Sequence, residues 1–167
     1  MHLTEPGAWK EGVALCIRLS ARPIHFVGVG NTLRRDDAAG VQVVSSLGRR
    51  LGHALPPWVK LHTSEAPERT LSGIPPGDGV VLFDAVRSKF AAGSVVCTTL
   101  DDTRYGFFAT HNIPLRLIPG LAERQDTAYV IGIEPESIEV GEGLSPAVER
   151  SVDALVTEVM RLVRAGN

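Results

Sequence analysis

Long apolar runs are missing from this sequence. No stretch approaches the ~20 residues of a membrane span, so no membrane partner is expected. Cysteine is scarce: Cys16 and Cys97 stand far apart, with no CxxC spacing. Each lies in an apolar run and reads as a reduced core residue of a reducing compartment. No charge of one sign dominates, because 17 basic residues face 19 acidic ones and the formal net charge is −2. That balance removes the electrostatic footprint of a nucleic-acid or membrane-surface binder. The opening MHLTEPGAWKEG has Pro, Glu and Gly where a signal peptide is apolar, so a cytoplasmic location is expected. Internal repeats and low-complexity tracts are absent. What remains is a chain of 167 residues, 44% hydrophobic and 22% charged. This is ordinary for one compact domain with a sizeable core.

The apolar pattern alternates between strand and helix. Trp9, Val13, Cys16 and Ile17 are spaced for a short amphipathic helix within 6–19, ended by Arg22-Pro23. Ile24 to Val29 reads as the first strand, and Ala38 to Leu51 as a helix that Asp36 or Asp37 is placed to cap. Trp58 to His62 is a short strand, Ala66 to Ser72 a turn or two of helix, and IPPGDG (74–79) a turn cluster. VVLFDA (80–85) is continuous and apolar, as buried parallel strands are. Ser94 to Leu100 and Tyr129 to Ile133 are further strands, with a helix between them over His111 to Glu123. Ser145-Pro146 opens a last helix that carries Val148, Val152, Leu155, Val156, Val159 and Val163 on one face. The order implies an α/β domain whose mostly parallel sheet is covered on both faces.

The segment VGVGNTLRRDDAAG (27–40) carries the chemistry. A dinucleotide loop has GxGxxG; here Gly28 and Gly30 are followed by Leu33, and no GK[ST] is present. The adjacent aspartates of this loop also repel phosphate. In open α/β sheets ligands sit beyond the carboxyl ends of the strands. That rule gathers Asn31, Asp36 and Asp37 from the first strand, and His62, Thr63 and Glu65 from the second. It adds Asp84 from the central strand, and Thr110, His111 and Asn112 from a later loop. An aspartate ending an apolar strand is costly to bury unless it is paired or binds a cation. Two carboxylates with an imidazole suit nickel, zinc or iron and leave open positions. Structural roles compete: a helix cap for Asp36 or Asp37, amide hydrogen bonds for Asp84, a helix start for His111. His2, His25, His53, Glu134, Glu136 and Asp101-Asp102 read as surface or strand-end residues. Spacing by itself supports an α/β domain with a candidate metal site.

The combination resembles the hydrogenase maturation endopeptidases. GVGNTLRRDDAAG resembles their G-[IV]-G-N-x-L-x-x-D-[DE]-G-x-G opening, and VVLFDAV their central strand. SEAPE and FFATHNIPL are similar to segments of the branch that processes formate-hydrogenlyase-type hydrogenase large subunits. VIGIEPESI resembles the strand before the family's long terminal helix. The resemblance implies a single-domain three-layer sandwich of phosphorylase/hydrolase-like type over 23–167, with 1–22 as an N-terminal helical extension. It implies an aspartic-type endopeptidase that removes the C-terminal extension of the nickel-iron hydrogenase large-subunit precursor after nickel insertion. A precursor-binding chaperone without cleavage is the alternative. Asp37, Asp84 and His111 fall on the family's metal-binding and catalytic positions. Nickel then belongs to the precursor rather than to the free enzyme, other divalent metals could substitute, and no small-molecule cofactor is expected. Gly28 and Gly30 are expected to let the backbone approach the ligand or adopt positive φ. Asn31 is expected to tie the loop by an Asx-type bond, and Asp36 to cap the helix or to stand behind Asp37 as an orienting partner. Ala38 replaces a family glycine, which would be strained if its φ were positive. His62 and Glu65 are candidate extra ligands.

Overall fold

The computed structural model describes residues 6–99 and 128–166. A short 3-10 turn, Pro6–Ala8, leads into α1 (Trp9–Leu19). β1 (Ile24–Val29), α2 (Ala39–Leu51), β2 (Val59–Ser64), α3 (Pro67–Ser72) and β3 (Gly79–Ala85) follow. β4 (Val95–Thr99), β5 (Ala128–Ile133) and α4 (Pro146–Arg164) complete the described elements. The strands form one sheet in the order β2-β1-β3-β5-β4. All neighbours run parallel except β4, which is antiparallel to β5. This is the mostly parallel α/β sheet expected from the alternation of strands and helices. The strand expected over 94–100 is β4, and it enters the sheet antiparallel to its neighbour. The helix expected over 111–123 lies outside the described residues.

Strand parity divides the core in two. Ile24 and Phe26 of β1, Val81 and Phe83 of β3, and Tyr129, Ile131 and Ile133 of β5 pack with the apolar faces of α1, α2 and α4. The alternate residues Val27, Val29, Val80, Leu82, Ala128 and Val130 pack with Leu71 of α3 and Ile74. α1 buries Val13, Cys16 and Ile17 in the first cluster. There Cys16 meets Cys97 of β4; both thiols are free and buried. A hydrogen bond that the Cys16 thiol donates to Cys97, with burial behind it, pushes the Cys16 thiol well above its ordinary pKa. The two cysteines are therefore the reduced core residues that their apolar settings suggested.

α2 lies unusually close to the sheet, and glycine makes that possible. A Cβ on Gly28 would fall 2.3 Å from the Gly40 carbonyl oxygen. One on Gly40 would fall 2.0 Å from the Phe83 oxygen and 2.5 Å from the Val29 oxygen. Gly28 therefore serves the approach of a helix, not the approach of a ligand. This contact seats the amino end of α2 against the carboxyl ends of β1 and β3, where the aspartates are. Gly48 of the same helix meets only the Leu61 Cδ1 at 3.5 Å. Gly40→Ala should thus cost about 1–3 kcal/mol by overpacking. Gly48→Ala should gain about 0.5–1 kcal/mol from helix propensity. Urea unfolding of the two variants measures both signs.

Candidate functional site

The loop after β1 turns on Gly30, whose φ is +142°. A Cβ there would meet the Asp37 carbonyl oxygen at 1.8 Å, so glycine is required twice over. Asn31 Oδ1 accepts the Leu33 amide at 2.8 Å, the Asx turn anticipated from sequence. The chain then coils through a 3-10 turn, Arg35–Ala38, before α2 begins. Ala38 has φ −73° and ψ −5°. It lies in ordinary helical space, so the alanine in place of the family glycine carries no strain.

Neither aspartate of this turn caps α2 through its side chain. Asp37 is buried and turns back: its Oδ2 accepts the Asn31 amide at 3.0 Å. Its Oδ1 is buried with no hydrogen-bond partner. Asp36 is fully buried and reaches across to the segment between β5 and α4. Its Oδ2 accepts the amides of Glu136 at 2.9 Å and Ser137 at 3.0 Å, and its Oδ1 that of Ser145 at 2.6 Å. Ser145 is the N-cap residue of α4. The carboxylate of Asp36 therefore serves the amino end of a 19-residue helix remote in sequence. There negative charge is favoured by the unpaired amides and the helix dipole.

Asp84 closes the described site from β3. It is buried, with Oδ1 accepting the Ala85 amide at 2.8 Å and Oδ2 without a partner. Burial first, and the charge of Asp37 second, push its pKa well above the ordinary carboxyl value, against the pull of the Ala85 amide. Two neighbouring buried carboxylates thus each keep one oxygen unsatisfied. Buried acceptors are nearly always paired, so these two oxygens are placed for a cation or a proton that comes and goes. Their chemistry, hard oxygen with negative charge, suits a divalent metal. His111 lies outside the described residues, as do Thr110, Asn112 and Asp101-Asp102. Among the described residues no cluster of three or more metal-ligating side chains forms.

His62 is not at the strand's carboxyl edge. It pairs with Val27 in mid-strand, and its Nε2 lies 2.9 Å from Nδ1 of His25, whose Nε2 lies 3.0 Å from Asp78 Oδ2. Burial, then the charge of His25, lowers the pKa of His62. His25, read from sequence as a surface or strand-end residue, is buried. Glu134 is buried too, not solvated, and its Oε2 accepts both the amide and the hydroxyl of Ser88. It fastens the connection between β3 and β4 close to the end of β5. Strand parity alone could have flagged both residues, since each shares a face with buried valines or alanine. Glu65 makes no contact with the aspartates in the described hydrogen bonds and ion pairs.

Comparison with known proteins defines the class: this is an α/β peptidase. The family model "HycI: Hydrogenase maturation protease" matches residues 65–162. The hydrogenase 2 maturation protease of Escherichia coli K12 is 30% identical over 152 residues, spanning 84% of this chain and 90% of that protein. The crystal structure of the [NiFe] hydrogenase maturation protease HycI of Thermococcus kodakarensis superposes with a TM-score of 0.67 at 24% identity, over 90% of this chain and 98% of that one. The hydrogenase maturating endopeptidase HybD of E. coli gives 0.62 at 24% identity, over 86% and 93%. The two structures share the fold with this chain. The chain belongs to the hydrogenase maturation protease family.

The two acidic neighbours should respond to substitution in opposite directions. Asp36→Ala strands three amides and should cost about 3 kcal/mol or more. Asp84 binds its proton more tightly folded than unfolded, so stability falls as pH rises between the two pKa values. Asp84→Asn should therefore raise the thermal midpoint near neutral pH and above. The gain should fade below the ordinary carboxyl pKa, where both states are protonated. Each ~1 kcal/mol moves the midpoint of such a domain by roughly 2–4 °C. Thermal scans across pH measure it.

Proposed function

We infer that this peptidase removes the C-terminal extension of a nickel-iron hydrogenase large-subunit precursor once nickel is in place. The observation that carries the reading is the pair of unsatisfied, buried oxygens, Asp37 Oδ1 and Asp84 Oδ2, beyond the carboxyl ends of β1 and β3. In this reading nickel is part of the substrate. Asp37, Asp84 and His111 are the ligands and catalytic residues. Gly28, Gly30, Asn31 and Asp36 shape the loop that holds Asp37.

Asp84 is central to the chemistry. Burial and the charge of Asp37 push its pKa well above the ordinary carboxyl value, so its charged form is disfavoured until a cation offsets that repulsion. Engagement of the loaded precursor lets Asp84 release its proton and ties the scissile bond to a fixed place against the two carboxylates. Orientation of this kind converts a slow encounter into an intramolecular reaction. A deprotonated carboxylate beside the bond can then accept a proton from the attacking water. A precursor without nickel offers nothing to draw the proton off Asp84, so it is not positioned and not cut. Other divalent metals with oxygen and nitrogen affinity would meet the same donors.

The test is intact-mass analysis of a large-subunit precursor mixed with the protein, in nickel-loaded and nickel-free forms. Loss of a C-terminal fragment from the loaded form alone is expected. Asp37→Asn, Asp84→Asn and His111→Ala should each lower kcat/KM by at least about 10²-fold. Tight precursor binding without fragment release, under conditions where a known processing enzyme cuts, would instead identify a maturation chaperone.

A further inference from the structure

The rim beside Asp37 is built, not merely left over. Two loops meet there, the one between β1 and α2 and the one between β5 and α4. The Arg35 amide donates to the Gly141 oxygen at 2.9 Å, and the Gly141 amide donates to the Leu33 oxygen at 2.9 Å. The Asp36 amide donates to the Ser137 oxygen at 3.1 Å, and Arg34 Nε to the Ile138 oxygen at 3.2 Å. Asp36 adds the three carboxylate bonds already described. Arg35 adopts φ +45° within this junction, a left-handed conformation that a non-glycine residue holds only where its surroundings impose it. The outcome is a fixed double loop whose backbones run side by side at Arg34 and Gly141.

On this platform stand two large apolar side chains with no core to fill. Leu33 is 62% exposed and Val140 84% exposed. They immediately precede the bridged residues Arg34 and Gly141 in their respective loops, so they occupy neighbouring places on one face of the rim. A single exposed leucine needs no explanation. Two placed just before the bridged residues, in a frame that the same loop shares with Asp37, form an apolar contact whose place is set by the backbone around that aspartate. Loop side chains beside catalytic groups are where specificity is usually read.

We propose that Leu33 and Val140 form the docking surface for an apolar segment of the precursor adjacent to its scissile bond. This rests on the endopeptidase reading above. The partner is fixed by continuity: the bond to be cut must come within reach of Asp37, which lies four residues beyond Leu33. The rim belongs to the same loop as Asp37 and is tied to the loop between β5 and α4 by Asp36. Because the platform is already fixed, contact costs little ordering of the enzyme, and the gain goes into affinity. The contact lies outside the reacting atoms, so it holds ground state and transition state alike and is read in KM.

The experiment compares wild type, Leu33→Ser/Val140→Ser, and Leu19→Ser on the nickel-loaded precursor. Leu19 is likewise exposed, at 48%, but ends α1 at the opposite, amino-terminal edge of the sheet. The double variant should raise KM about tenfold, as loss of two buried aliphatic contacts implies. Its kcat should stay within about twofold and its thermal midpoint should not move. Leu19→Ser should match wild type. An unchanged KM in the double variant overturns the docking surface. So does a change in sedimentation with KM intact, which would make the rim a contact between copies of the chain. If wild type itself cuts no loaded precursor, the endopeptidase reading fails first, and the two failures are distinguishable.

Discussion

The loops at the carboxyl ends of β1 and β3 depend on placing two carboxylates in a buried site, close enough for the charge of one to act on the other. Asp37 and Asp84 are both buried and each has a vacant oxygen. That arrangement is unfavourable by itself, because desolvation and repulsion act together. The protein gives each aspartate one backbone amide, and burial with the charge of Asp37 raises the pKa of Asp84. Such a pair costs stability, which natural proteins commonly give up where a function requires it.

The third aspartate does the opposite work. Asp36 is buried as deeply as its neighbour but is fully satisfied by three amides. It links the first strand's loop to the start of the last helix, so the two carboxyl-end loops become a single frame. Gly28, Gly30 and Gly40 allow the frame to sit close to the sheet, since side chains there would meet backbone atoms at 2.3, 1.8 and 2.0 Å. Adjacent aspartates with the same chemistry thus have separate roles because their carboxylates face different surroundings.

Much of this was legible in the residues. The continuous apolar run VVLFDA becomes the central strand β3, with Asp84 buried near its end. The valine and leucine face of 146–164 becomes the buried face of α4. Glycine at position 30 did signal a positive φ, and Asn31 an Asx turn. Other features depend on partners too distant to infer. His25 read as a surface or strand-end residue because His62 and Asp78 lie 37 and 53 residues away. Asp36 looked like a cap for the helix that follows it, whereas the amides it serves are 100 to 109 residues further on. Gly28 looked like a ligand contact because a helix returning to the strand it has just left is a tertiary event.

The central claim is that burial beside Asp37 biases Asp84 toward its protonated form in the free protein and that the metal-bearing precursor shifts it to the carboxylate, the proton leaving to solvent. Infrared difference spectroscopy near neutral pH tests it most directly. A protonated carboxyl band should be present in the wild-type protein and missing in Asp84→Asn. It should disappear when a nickel-loaded, uncleavable precursor is added, and persist with the nickel-free form. Absence of that band from the free wild-type protein, or its survival in the loaded complex, would contradict the account.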